Sequence, residues 1–484
     1  MQFVIKLFPE ITIKSKPVRK QMIQRLQNNL ANLMRSIDER IQVKKEWDKM
    51  IVNVLTDEQA VIQQVQSTLS NTPGITYILE VDIKPFSDIN DICRAVADYY
   101  LEEIANKRFV VRCKRAGEHP WTSHEVERIV GGYLNQRCES AVVSLKNPDV
   151  TVSLEVRDKQ VYVVKQRIEG LGGFPVGALE PVLSLLSGGF DSPVASYQCI
   201  KRGMPTHFVF FNLGGRDHEL GVKEVAYYLW SKYSASRRVQ FVSVPFEAVV
   251  AEILQHVDDS QMGVVLKRMM YRAADAVAEK LNIKALVTGE AVAQVSSQTL
   301  SNLSVIDQVT DKLVLRPLIA SDKEDIISIA KRIGTDAFAA AMPEYCGVIS
   351  VRPTTKARDY RVEHQERQFD FTVLDQALAA AQYINIDQMG DLQRCDKVEE
   401  FSFALAESVV IDIRHPDEVL LRPFSFKAEK TLTIPFYALH NEASKLDPGK
   451  KYLLYCEKGV MSHLHAAHLQ DQGLNVAVLR PKKF

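Results

Sequence analysis

Five short apolar runs between residues 181 and 318, each separated from the next by a longer stretch of helical character, constrain this chain more than any other feature. They are PVLSLL (181–186), THFVFFNL (206–213), VQFVSVPF (239–246), IKALVTGE (283–290) and KLVLRPL (312–318). Strands buried on both faces read as near-continuous apolar runs, and strands joined through helices lie parallel. The pattern therefore predicts a doubly wound parallel sheet covered on both sides. In such sheets a ligand sits beyond the carboxyl ends of the strands. Two of the runs end there in small polar turns, SGGFDS (187–192) and TGE (288–290).

At 484 residues the chain has room for three or four domains, and 46% hydrophobic with 25% charged residues is the balance of a globular protein with ample core. No apolar run approaches the length that spans a bilayer. The opening MQFVIKLFPEITIKSK has no apolar h-region or small-residue cleavage site, so the expectation is a cytoplasmic protein with no membrane contact. Its seven cysteines, at 93, 113, 138, 199, 346, 395 and 456, are scattered without zinc spacing. That argues for a reducing compartment and against a disulfide scaffold or a structural metal. Sixty basic residues balance sixty acidic ones, which would weigh against nucleic acid if charge were uniform. Residues 1–60, however, hold 11 Lys/Arg against 7 Asp/Glu, an excess of 11 − 7 = +4, and residues 105–140 are again basic. Local basic surface, rather than the sum, governs phosphate binding.

Before residue 170 the chain reads as two small α+β units. Residues 2–7 alternate as a strand and 17–52 look mostly helical. GITYILEVDIK, KRFVVRCKRAG and the hairpin VTVSLEVRDKQVYVVKQRIEG alternate with two helical stretches, the second, SHEVERIVGGYLNQRC, with Ser123 as a candidate N-cap. GLGGFPVG (170–177) is a glycine-rich connector. Residues 352–403 are polar and helix-like, as in a linker, and strands return after 404 in SVVIDIR, TLTIPF, KYLLYC and NVAVLR.

The turn at 187–192 carries the clearest chemistry. Successive glycines let backbone N–H groups converge, and a following helix adds its positive end, so phosphate oxygens fit there. No Walker lysine is present, which suits an enzyme that breaks ATP between its α- and β-phosphates. A glycine turn alone is common, but SGGFDS at a strand end resembles the loop of the PP-loop ATP pyrophosphatases, which adenylate a carbonyl oxygen. That resemblance implies contacts to ATP and Mg²⁺-dependent chemistry at Leu185, Leu186, Ser187, Gly188, Gly189 and Ser192, with Asp191 acting on magnesium or orienting the nucleotide. It also singles out Lys267, otherwise read as an exposed helical lysine, Gly289, where a backbone could approach the nucleotide, and Gln298, which could pair with an adenine edge.

RFVVRCKRAGEHPWTSHEVERIVGGYL (108–134) resembles the THUMP RNA-binding domain, with Arg108, Arg112, Lys114 and Arg115 as expected phosphate contacts, and the segment before it resembles the ferredoxin-like domain that accompanies THUMP. SVVIDIRHPDE and YCEKGVMSHLHAAHL resemble a rhodanese domain, whose loop after Cys456 should aim N–H groups at the sulfur and favour a thiolate and persulfide. Glu457 opposes that and Lys458 partly offsets it. With MPEYCGV, these motifs make the whole chain similar to the tRNA uridine 4-sulfurtransferase family in its long form. The resemblance implies an α/β multidomain protein: a ferredoxin-like unit (1–60), THUMP (61–168), a doubly wound PP-loop domain (178–351), a linker (352–403) and a rhodanese domain (404–484). It further implies ATP-dependent sulfur transfer to C4 of uridine 8 in tRNA through an adenylated uridine, with Cys346 as the partner of Cys456. A cysteine desulfurase as sulfur donor and a second role toward the thiamine-pathway sulfur-carrier protein follow from it too. Two other readings remain: a thiolase of another tRNA position, and an RNA-binding sulfur carrier without adenylation.

Overall fold

The structure is a computed structural model that describes all residues except 46–48, 214, 343–351, 390–397, 458 and 482–484. It divides into two compact units, Met1–Pro175 and Val176–Phe484.

The first unit holds strands β1 (Gln2–Leu7), β2 (Gln42–Lys45), β3 (Lys49–Asn53), β4 (Ile75–Pro85), β5 (Arg108–Ala116), β6 (Val142–Val143), β7 (Val150–Arg157) and β8 (Gln160–Gly172). Its helices are α1 (Pro9–Thr12), α2 (Lys16–Ile37), α3 (Gln59–Ser70), α4 (Ile89–Glu103) and α5 (Ser123–Arg137). The strands form one eight-stranded sheet in the order β2-β3-β1-β4-β8-β7-β5-β6, joined at its middle by the long β4–β8 pairing. The helical reading of residues 17–52 is corrected: α2 stops at Ile37, where Asp38 turns extended, and β2 and β3 follow. The lysine- and valine-rich run after 42 mimics helical spacing, but Ile51 and Val4 pair across an antiparallel ladder. Helix α5 is capped by Thr122, not Ser123: the Thr122 hydroxyl accepts from Glu125 N–H while the Glu125 carboxylate accepts from Thr122 N–H.

In the second unit the apolar runs become β9 (Val182–Leu185), β10 (Thr206–Asn212), β11 (Gln240–Pro245), β12 (Ala285–Val287) and β13 (Leu313–Leu315). All pair in parallel, in the order β13-β12-β9-β10-β11. The order reverses between β9 and β12, which places the turns after these two strands side by side at a topological switch point. Around the sheet lie α6 (Asp191–Lys201), α7 (Gly215–Tyr233), α8 (Glu247–His256), α9 (Met262–Lys280), α10 (Leu300–Asp307), α11 (Lys323–Ile333) and α12 (Asp336–Ala341).

Part of the stretch expected to be a linker is built into this body. Helices α13 (Asp359–Glu366) and α14 (Thr372–Ala379) lead to β14 (Gln382–Asn385), which pairs antiparallel with β11 and closes the sheet edge. Helix α13 is anchored by a buried ion pair in which Arg268 Nε and Nη2 donate to the two Glu366 carboxylate oxygens at 2.6 and 2.8 Å.

A smaller sheet follows, from β15 (Glu400–Phe401), β16 (Val409–Asp412), β17 (Lys430–Thr433), β18 (Tyr452–Tyr455) and β19 (Val476–Leu479). Its order is β15-β19-β18-β16-β17, parallel throughout, with helices α15 (Pro416–Leu421), α16 (Phe436–Ala443) and α17 (Val460–Asp471). We call it the C-terminal body.

Candidate active site

Strand β9 releases the chain into Ser187-Gly188-Gly189-Phe190, and α6 begins at Asp191. Ser192 clamps the loop: its hydroxyl accepts from Ser187 N–H at 2.8 Å and lies 2.9 Å from the Ser187 hydroxyl. Phe190, the N-cap, supplies no side-chain acceptor to the first turn of α6. Those N–H groups are the kind of donors that phosphate oxygens satisfy. Among the described residues, a Cβ on Gly189 would meet nothing closer than the Ser187 hydroxyl at 4.0 Å, so these residues leave space beside the loop. The loop, its donors and that space fit a phosphate chain. Leu186 is buried, its N–H donating to Val209 O, and Leu185 is paired with β10, so these two fix the strand end.

The neighbouring turn presses on the same spot. A Cβ on Gly289 would lie 2.6 Å from Ser192 N and 2.7 Å from Asp191 C. The Cβ direction of Gly289 is thus filled by the backbone of the first turn of α6. Asp191 is held from two sides: Lys323 Nζ donates to Oδ1 at 2.7 Å and Gln294 Nε2 donates to Oδ2 at 2.8 Å. Neither partner was visible in the sequence. Lys323 opens α11 as an ordinary helix-start lysine, and Gln294 sits in a loop bent by Ala293 at φ 62°.

Lys267 is not a free surface lysine. Its ammonium lies 3.6 Å from Glu290, a buried carboxylate that also accepts from Arg316 Nε and Tyr271 OH at 2.9 Å and from Thr288 OH at 3.0 Å. Burial pushes the Glu290 carboxyl up, but Lys267 and Arg316 outweigh it and hold it below its usual range. Gln298 is buried, and its amide oxygen accepts from Ala291 N–H at 3.4 Å, inside its own loop.

In the C-terminal body, Cys456 follows β18 and precedes α17, whose N-cap Gly459 has φ 77°. Ser462 N–H donates to Cys456 Sγ at 3.3 Å. Burial pushes the thiol up and Glu418 adds to it, against the bonds from Ser462, which favour the thiolate. Glu457 is answered by Arg422, which pairs with it, while Lys458 lies outside the described residues. Arg414 supports this arrangement, bonded to Asp412 at 2.6 and 2.9 Å and donating to Arg422 O at 2.8 Å. Cys346 also lies outside the described residues; Met342 before it wedges between Gly188 and Gly221, where added Cβ atoms would come within 2.8 and 2.5 Å of its sulfur.

In the first unit the four basic candidates differ. Arg108 is committed to Asp149 through bonds of 2.7 and 3.0 Å, which hold that carboxyl well below its usual range. Arg115 donates to Gly117 O at 2.9 Å and touches His119, itself stacked on Trp121. Arg112, loosely paired with Glu127 at 3.9 Å, and Lys114 flank the buried Cys113 and project together from one face of β5.

With this geometry in hand, likeness to known proteins decides the family. The thiamine biosynthesis protein (ThiI) family matches residues 177–371, the THUMP domain 86–164 and the ThiI ferredoxin-like domain 2–78. A tRNA sulfurtransferase of Azotobacter vinelandii is 54% identical over 99% of this chain and 100% of its own length. The chain belongs to the tRNA sulfurtransferase family. A tRNA sulfurtransferase of Pseudomonas putida is 52% identical over the same shares. A solved 4-thiouridine synthetase, in complex with RNA and bound ATP, superimposes with a TM-score of 0.70 at 26% identity, covering 79% of this chain and 99% of that one. As a member of the family, the chain is a sulfurtransferase enzyme acting on tRNA. No helix among its described residues is long and apolar enough to cross a membrane.

Proposed function

We propose that this enzyme binds ATP at the loop 187–192 and uses it to replace the C4 oxygen of uridine 8 in tRNA with sulfur. One observation carries the reading: at the switch point, Ser192 closes a glycine loop while Lys323 and Gln294 aim Asp191 at it. The 4-thiouridine synthetase of known structure, which carries ATP and RNA, supports it. Position 8 rests on the family resemblance.

The C4 oxygen is a poor leaving group. It attacks the α-phosphorus of ATP, pyrophosphate leaves, and the oxygen becomes part of AMP. Lys323, freed from Asp191 when the nucleotide enters, neutralises phosphate charge, and the N–H groups of the loop and of α6 hold the departing pyrophosphate. Magnesium would be held by Asp191 together with phosphate oxygens, a donor set that suits an ion bound through one carboxylate and its substrate. It would supply charge neutralisation on the phosphates.

A cysteine desulfurase leaves a persulfide on Cys456. Its terminal sulfur reaches C4 and AMP departs. Cys346 then attacks Cys456 Sγ, breaking its bond to the transferred sulfur, which stays on C4 with the electron pair as 4-thiouridine. The two cysteines are left as a disulfide. Alternatively, Cys346 attacks the persulfide beforehand and releases sulfide that attacks C4 and displaces AMP. An external dithiol supplies the two electrons that reopen the bridge. Sulfur delivery from the same cysteine to the thiamine-pathway carrier protein is the second role proposed; the matched family's description as a thiamine biosynthesis protein supports a part in that pathway.

Exchange of labelled pyrophosphate into ATP, dependent on tRNA, tests the adenylation. Asp191→Ala should abolish both exchange and thiolation while tRNA affinity stays within a few-fold. A comparable fall in tRNA affinity would show that the loop serves RNA rather than ATP.

A further inference from the structure

Helix α7 carries a stripe at Asp217, Gly221, Glu224, Tyr228 and Lys232, spaced by four, three, four and four residues and so lying on one helix face. Every member but Gly221 meets the C-terminal body. His468 Nε2 lies 3.2 Å from Asp217, His465 Nε2 lies 2.5 Å from Glu224, and Lys232 Nζ lies 3.3 Å from Asp417. The ring of Tyr228 packs on His415 at 5.0 Å, and Phe338 of α12 packs between Tyr228, Phe436 and Tyr437 at 5.1 to 5.4 Å. At the rim, Arg216 donates to Asp471 at 2.6 Å. Gly221 instead receives Met342, which also touches Gly188 of the phosphate loop.

Two facts give this seam a direction. Tyr227, buried on the same helix, is close enough to Cys456, Glu418 and Glu457 for their charges to push its hydroxyl up beyond the effect of burial. Ser462, whose N–H donates to Cys456 Sγ, lies three residues before His465 on α17, so the group that holds the sulfur is about one helical turn from the contact of His465 with Glu224, and Glu224 is three residues, about 4.5 Å at 1.5 Å per residue, from Gly221. His465 and Glu224 are both nearly inaccessible. A polar contact buried in this way adds little net stability, and its best-attested use is to specify one arrangement over others.

We propose that this face of α7 is the seat from which the C-terminal body hands sulfur to the nucleotide site, with Glu224 and His465 as positioning residues for the transfer. The proposal rests on the function given above. In this pose the helix whose Ser462 N–H bonds the cysteine sulfur and the methionine that touches the phosphate loop both rest on α7. Loading by the desulfurase and adenylation at the loop are separate events that the seat does not serve.

The test uses the full-length enzyme with tRNA, ATP, a cysteine desulfurase, cysteine and a dithiol. Glu224→Gln should keep persulfide loading of Cys456 and tRNA-dependent pyrophosphate exchange at wild-type levels, while 4-thiouridine turnover falls by about tenfold to a hundredfold, the effect of misplacing a reacting group by about 1 Å. The exposed rim gives an independent arm if Glu224→Gln does not fold. Arg216→Glu should slow turnover a few-fold, and Arg216→Glu with Asp471→Arg should restore it. Wild-type turnover in Glu224→Gln, or no restoration by the charge swap, overturns the seat. Absence of pyrophosphate exchange in the wild type overturns instead the adenylation reading on which it rests.

Discussion

Replacing Gly289 by alanine probes the junction between the two turns at the switch point. The added methyl would fall 2.6 Å from Ser192 N, 2.7 Å from Asp191 C and 2.9 Å from Ser192 Cα, all backbone atoms at the start of α6. Relief to ordinary contact at 3.4 Å needs a shift of 3.4 − 2.6 = 0.8 Å, and no flexible side chain can absorb it. Overpacking of this kind costs about 1–3 kcal/mol. The same shift moves Asp191 and the phosphate-facing N–H groups, and a displacement near 1 Å at a reacting centre costs about a hundredfold in rate. Gly188→Ala is the control. Its methyl's nearest atoms are Sδ, Cε and Cβ of Met342 at 2.8, 3.2 and 3.3 Å, and the worst of these contacts is with the flexible end of a side chain rather than with backbone. Thermal unfolding and tRNA-dependent pyrophosphate exchange should therefore both report Gly289→Ala as severe and Gly188→Ala as the milder change in stability. Gly289→Ala with wild-type melting and exchange would refute the claimed contact between the end of β12 and α6.

Two further outcomes follow from the charged residues. Arg112→Glu with Lys114→Glu should weaken tRNA binding and flatten the dependence of log affinity on log salt by about 0.7–0.9 for each phosphate no longer neutralised. Arg108→Ala, whose guanidinium is committed to Asp149, should change that slope least; binding titrations at several salt concentrations decide. Because burial and then Glu418 push the Cys456 thiol up, its alkylation should be slow at neutral pH and accelerate only as pH rises above the usual thiol range. Glu418→Gln removes a negative charge that disfavours the thiolate, so the rate–pH curve should move to lower pH, and an unmoved curve counts against this electrostatic assignment.

The parallel strands were legible because burial on both faces leaves a plain apolar run, as in FVFF of β10. The returning strand β14 was not, since QYIN has a single buried residue, Ile384, and its place depends on pairing with β11. Helix α13 looks like polar linker because what it buries includes Glu366, and nothing local announces that Arg268 waits for it 98 positions away. Much the same holds at the site. Ser187, Ser192 and Gly289 could be singled out because a tight turn and a close backbone approach demand small residues at fixed places. Lys323 is 132 residues from Asp191, and a lysine after Asp322 at a helix start carries no mark of its destination. The Cys456 loop was recognisable by spacing, but Glu418 and Arg422, which arrive from another turn of the chain, were not.

The antiparallel closing strand also sets an order of events during synthesis. Once β11 is complete, its outer edge must wait for 382 − 245 = 137 further residues before β14 can cover it. An uncovered edge is a template for pairing with another chain, and long-range strand pairing is slow to form. A nascent chain halted near residue 351 would carry that open edge together with an Arg268 whose carboxylate had not yet been made. This edge of the parallel sheet is therefore covered only once residues 382–385 have been made and have emerged to reach β11, when the C-terminal sheet is about to follow.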